Sequence, residues 1–156
     1  MLHTTEDFMN FIDHLLQPVG FVKKKDTWYF RTNECLCFIS IGKSPYGNYY
    51  DHVMGGFLEE INNTKNKFPP YYKADLKYSL GKMADKNTVK RAFDLDDNSF
   101  QANEREFLIE KLIKEYAVPF IQDISSKQGM RTALSKYDGL INMTKSDLKN
   151  HLKRPE

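Results

Sequence analysis

The sequence predicts an α+β fold: an antiparallel four-stranded meander with an N-terminal helix and C-terminal helices packed on one face. Three observations carry this. Apolar residues recur at helical spacing near both ends of the chain, at Phe8, Phe11, Ile12, Leu15 and Leu16 and again at Ile109, Leu112, Ile113, Tyr116, Phe120 and Ile124. Between them lie extended runs rich in β-branched and aromatic residues. Short turns join most of these runs, which favours antiparallel pairing of sequence neighbours with helices over the apolar face.

In the first helix Thr4 or Thr5 can cap the start, and Glu6 and Asp7 meet the positive end of its dipole. Pro18 stops it and Gly20 permits a tight reversal. Phe21 and Val22 open extended structure, and Lys23, Lys24, Lys25 and Asp26 read as a solvated bend. Trp28–Thr32 is the first strand. Asn33-Glu34 is a turn, and Cys35–Lys43 is a second strand, apolar on both faces as central strands are. Ser44-Pro45-Tyr46-Gly47-Asn48 has turn chemistry. Tyr49–Leu58 is the third strand, with Gly55-Gly56 weakening it or marking a bulge.

Residues 59–72 are a long polar connection ending in prolines. Ala74, Leu76, Tyr78 and Leu80 alternate with polar residues, a strand with one wet face. Residues 81–102 are irregular. Asn103 and Glu106 have capping-box spacing for the long helix, Pro119 should kink or split it, and Gly129 should end it. Met130, Ala133, Leu134 and Tyr137 suggest a further short helix stopped at Asp138-Gly139. Thr144 and Asp147 could cap a last turn. The expected organisation is one domain over residues 1–143 and a basic, frayed tail over 144–156.

Chain length suits one domain, which buries about 70% of its unfolded surface and needs neither disulfide nor metal. With 23 basic and 21 acidic residues the net charge is +2, which disfavours a dedicated nucleic-acid binder. No apolar run reaches the roughly 20 residues of a membrane helix, and the first residues are acidic and amphipathic rather than leader-like, so a cytoplasmic protein is expected. Cys35 and Cys37 stand two apart on one strand, a poor geometry for a structural disulfide.

The segment from Leu15 to Ser44 carries a resemblance. Leu16-x-Pro18-x-Gly20-Phe21-x-Lys23-Lys24, then Trp28-Tyr29-Phe30-Arg31, then Ile39-Ser40-Ile41-Gly42-Lys43-Ser44 resemble the bacterial family called domain of unknown function 4304. The chain departs from the family pattern near Gly42, where a glutamine is usual, and near His52, where an asparagine is. The resemblance implies strands flanked by helices. No activity is established for the family, so it transfers no catalytic residue.

Motif by motif, the chemistry is sparse. Gly42-Lys43-Ser44 ends like a phosphate-binding loop, but position 37 is Cys where that loop needs Gly, and a turn follows where a helix should. Asp94, Asp96 and Asn98 match the start of a calcium loop whose sixth and twelfth positions are here Ser99 and Arg105. The cysteines have no second pair to complete a zinc site. His3, His14, His52 and His151 are scattered. His52, beside Asp51, is the best of them for a pocket that binds a small ligand or performs catalysis. No cofactor, no metal and no catalytic residue is expected.

Tyrosine placement stands above this background. Tyr46, Tyr49 and Tyr50 fall at one proline-containing connection, and Tyr71 and Tyr72 at another. Loop tyrosines give large contact area at low entropy cost. Lys82, Lys86 and Lys90 should return to the Tyr46 end after the fourth strand and suit it to an acidic partner. The expected function is non-enzymatic: a protein-binding or regulatory domain of the immunity-protein kind, with Tyr46, Tyr49, Tyr50, Lys86 and Lys90 as its binding residues. The alternatives are the His52–Asp51 pocket and an RNA-binding module using the same tyrosines and lysines.

Overall fold

The computed structural model describes residues 2, 4–101 and 103–154. Helix α1 spans Thr5–Leu16, with Thr4 Oγ1 accepting from the Asp7 amide at 3.0 Å. Phe8, Ile12, Leu15 and Leu16 are buried along one face, the stripe its spacing predicts. A 3₁₀ turn at Gln17–Val19 follows, and Gly20, at φ 107°, makes the reversal.

Five strands follow in a sheet ordered β1-β2-β3-β4-β5, every pair antiparallel. They are β1 Val22–Lys24, β2 Thr27–Arg31, β3 Cys35–Lys43, β4 Tyr50–Leu58 and β5 Leu76–Tyr78. The meander is as expected, but it has five strands rather than four. Lys23 and Lys24, read as a bend, lie within the short edge strand β1, and the turn is Lys25-Asp26, with Lys25 at φ 58°. The lysines kept this strand hidden, because an edge strand exposed along its length has no apolar alternation.

The central strand sorts its side chains as its pattern implies. Cys35, Cys37, Ile39 and Ile41 join the main core with Trp28, Met54, α1 and the C-terminal helices. Leu36 and Phe38 join a second cluster with Tyr29, Phe57 and Ala74. Helices do not cover that second face. The connection after β4 does, beginning with the single helical turn α2, Glu59–Asn62, and running through a 3₁₀ turn at Tyr71–Lys73. Gly55 and Gly56 make no bulge, since the register with β3 is unbroken. A Cβ at Gly55 would stand 2.1 Å from the Leu76 carbonyl oxygen, so glycine is what lets β5 approach.

After β5 the chain forms a 3₁₀ turn at Leu80–Lys82 and helix α3, Lys86–Ala92, capped by the Asp85 carboxylate. The long helical stripe divides into α4, Glu104–Leu112, a π-helical turn over Ile113–Ala117, and α5, Val118–Asp123. Pro119 has no amide to give Glu115, and its ring would crowd that carbonyl; widening the preceding turn relieves both. The Asn103 side chain does not cap this helix among the described residues. Asn103 sits at φ 67° without a side-chain cap, and Glu104 instead accepts from the Gln101 amide at 3.0 Å.

Gly129 lies inside helix α6, Lys127–Lys136, and ends nothing. Ser126 caps that helix through the Gly129 amide, and a Cβ at 129 would fall 1.9 Å from the Asp123 carbonyl oxygen. The glycine marks a close crossing at a helix start. Residues 144–154 are also not a frayed tail. Thr144 bridges to Leu76, the Lys145 amide donates to the Asp75 carbonyl at 2.8 Å, and helix α7, Ser146–Leu152, buries Leu148 and Leu152. Glu60 ties this end down by accepting from Lys127 at 2.7 Å and from His151. The proposed cap at Thr144 is not formed, since its hydroxyl donates to the Leu140 carbonyl. His3, Pro155 and Glu156 lie outside the described residues.

Candidate functional site at the hairpin end of the sheet

The β3–β4 hairpin builds the predicted binding end. The Ser44 amide donates to the Tyr49 carbonyl at 2.9 Å, and buried Ser44 accepts from the Tyr46 amide through Oγ at 3.1 Å. The turn is therefore held from inside while its tip points out. Tyr46 is 90% exposed and Tyr49 is 38% exposed. Gly47 lies under the Tyr49 ring, where an added Cβ would come within 3.0 Å of two ring carbons. Gly42-Lys43-Ser44 leads from β3 into this turn, so no helix N-terminus faces it.

Tyr50 departs from the expected set. It is 3% exposed, stacked on Phe8, and belongs to the main core. The strand's alternation turns it inward, so its ring is not one of the surface tyrosines.

The segment after α3 extends the sheet beside the hairpin. The Tyr50 amide donates to the Phe93 carbonyl and the Leu95 amide to the Asn48 carbonyl, each at 2.9 Å, and Tyr49 bridges to Asp94. This brings Lys90 to the site. With Tyr49, Tyr50, Asp51, His52 and Asp94 it lines a cleft of about 560 Å³. Lys86 is exposed one helical turn earlier on α3. Lys82 does not join them, because its ammonium lies 5.8 Å from the Tyr78 ring.

His52 lies at the back of the cleft with its ring 4.8 Å from Phe93. Burial lowers its pKa to about 4, against a smaller upward pull from Asp51, so the imidazole is neutral at pH 7. Among the described residues its buried Nδ1 has no hydrogen-bond partner. Asp51 and His52 also border a second hollow of about 280 Å³, on the other face, with Asp26, Ser40, Gly42 and Tyr71. The second tyrosine group thus reaches this hollow through Tyr71. The 59–74 connection folds back across the second face, and Tyr71 lies 6.4 Å from Phe38.

The calcium-like stretch has another purpose. Arg105 donates to the carbonyls of Asp94 and Asp97 at 2.7 and 2.6 Å, and the Asp94 and Asp97 carboxylates accept from the Asp96 and Ser99 amides. A guanidinium organises this loop from its own chain. Cys35 and Cys37 are free buried thiols, and burial raises the pKa of both, that of Cys37 to about 12. Among the described residues no group of three or more His, Cys, Asp or Glu side chains could hold a metal ion, and no helix is long and apolar enough to cross a membrane.

Fold and site together define an α+β meander domain with an aromatic hairpin tip over a cleft walled by Tyr49, His52 and Lys90. The chain belongs to the domain of unknown function (DUF4304) family, whose profile matches residues 12–123, from the middle of α1 to the end of α5. No curated protein and no solved structure matches it.

Proposed function

We propose that this protein is a non-enzymatic binding domain that engages an acidic protein partner through the hairpin end of the sheet. The supporting observation is Tyr46: a large amphipathic ring, 90% exposed, on a turn whose backbone Ser44 Oγ holds by a hydrogen bond. A tyrosine has few rotatable bonds to immobilise on binding, and such residues recur as interface anchors. Tyr49 stands beside it, and Lys90 and Lys86 supply the charge that would steer an acidic surface. RNA is a poorer partner, since the chain's net charge is only +2.

Photocrosslinking tests the reading. A benzoylphenylalanine at position 46 should capture one protein partner in the native cell, whereas the same group at exposed Lys111 should not. Equal capture at both positions would contradict it.

His52 favours a second reading, in which the cleft takes a small ligand. A buried ring nitrogen without a partner is costly, and a ligand that hydrogen-bonds to it would relieve that cost. A metabolite that raises the melting temperature of the native protein but not of His52→Phe would support this reading. If no metabolite separates the two proteins, the cleft is only the flank of the tyrosine surface.

A further inference from the structure

A second surface lies on the other face of the sheet, at the end away from Tyr46. Seventeen residues from 59 to 75 hold only one helical turn and one 3₁₀ turn, yet many contacts fix them. Arg31 donates to the Lys67 carbonyl at 2.5 Å and Tyr29 Oη to the Pro69 carbonyl at 2.8 Å. Lys145 donates to the Lys73 carbonyl at 2.8 Å. Asn63 and Asn66 take left-handed backbone conformations at φ 51° and 63°. Long ordered loops with this much support are commonly functional.

The charge of this segment is one-sided. Its three acidic residues all have partners within the protein: Glu59 accepts from the Thr64 and Lys65 amides, Asp75 from the Leu58 amide and Asn62, and Glu60 from Lys127 and His151. Lys65, Lys67 and Lys73 are exposed, and none forms an ion pair among the described residues. Apolar surface stands among them: Phe68 is 40% and Tyr72 62% exposed. A groove of about 410 Å³ runs between Phe57 and the Phe68-Pro69-Pro70 ridge, with Lys67 and Lys73 at its rim.

We propose that this groove is a preorganised docking site for an acidic segment of a protein partner, with one large apolar side chain of that segment seated against Phe68 and the Pro69-Pro70 ridge. The charges call for carboxylates, and the groove walls call for an apolar anchor. Nucleic acid fits less well, because the net charge of the chain is only +2. Lys24 and Arg31, 5.0 and 5.4 Å from the Phe68 ring, add cations beside the groove. This surface is separate from the Tyr46 hairpin, and either could operate without the other.

The test uses the full chain and a short fluorescent peptide of aspartates and glutamates around a single tryptophan. Controls replace the tryptophan with alanine, or the acids with asparagine and glutamine. The acidic tryptophan peptide should bind at least about tenfold more tightly than either control, and Lys67→Glu with Lys73→Glu should weaken it at least about tenfold. Both lysines are exposed, so the double variant should melt like the native protein. Amide shifts in a nitrogen-proton titration should concentrate in residues 62–73. Binding no tighter than the controls, indifference to the lysine reversals, shifts centred elsewhere, or tighter binding of an oligouridylate would each overturn the proposal.

Discussion

Tyr50 stacks on Phe8 with ring centroids 4.2 Å apart and planes 15° from parallel, and its hydroxyl donates to Thr5 Oγ1 at 2.8 Å. One contact thus locks the first helix to the start of β4, while the neighbouring Tyr49 faces the cleft. Two consecutive tyrosines have opposite duties because a strand alternates its faces. Tyr50→Phe should cost about 1 kcal/mol of stability, the worth of the lost hydrogen bond, and Tyr50→Ala about 3–5 kcal/mol. Urea unfolding of the two variants measures both.

The C-terminal helix is a second structural dependence. Leu148 is 0% and Leu152 3% exposed, and the chain before them pairs with β5. Deleting residues 145–156 should cost at least about 4 kcal/mol, since each buried leucine contributes a few kcal/mol, and should lower the melting temperature by roughly 10 °C. An unchanged melting curve would show that α7 does not support the fold.

His52 sets a pH dependence of known sign. Burial lowers its pKa in the folded protein to about 4 from the ordinary imidazole value of 6.5. Between these values the unfolded chain binds the proton and the folded chain does not. Stability from this group is therefore complete above about pH 6.5 and falls as pH drops through 4, by about 3 kcal/mol in all. His52→Gln should flatten this part of the stability–pH curve; parallel curves for the two proteins would refute the assignment.

The thiols should be inert while the protein is folded. Cys35 and Cys37 are 1% and 0% exposed, and burial holds both in the protonated form. Reaction with a colorimetric disulfide reagent should be slow and limited by unfolding, and both thiols should react at once in denaturant.

The parts of the fold legible in the sequence are those written by periodicity. The α1 stripe and the two-faced β3 appear where their apolar spacing puts them. The alternation from Ala74 to Leu80 yields only Leu76–Tyr78, since Ala74 turns to the second cluster, Asp75 is buried and Leu80 opens a 3₁₀ turn. The misses fall where local chemistry gave way to tertiary contact. Gly129 resembled a helix stop and is instead a site of close backbone crossing, and the C-terminal lysines suggested a frayed end where Leu148 and Leu152 in fact reach the core. At the site, the turn composition around Tyr46 pointed to an exposed tip. The burial of Tyr50 depends on α1, and the cover over the second face depends on long-range hydrogen bonds such as Tyr29 to Pro69, which no local pattern encodes.

Tyr46 and Tyr49 are proposed to bind rather than to stabilise. The most direct measurement takes Tyr46→Ala, Tyr49→Ala, Lys86→Glu and Lys90→Glu, and records both melting temperature and affinity for the crosslinked partner. Tyr46→Ala should change stability by less than about 0.5 kcal/mol, because its ring is 90% exposed, and should cost at least about 2 kcal/mol of binding. Tyr49→Ala should weaken binding similarly, and the charge reversals should act mainly on the association rate and its salt dependence. Variants that melt earlier yet bind with native affinity would contradict the account.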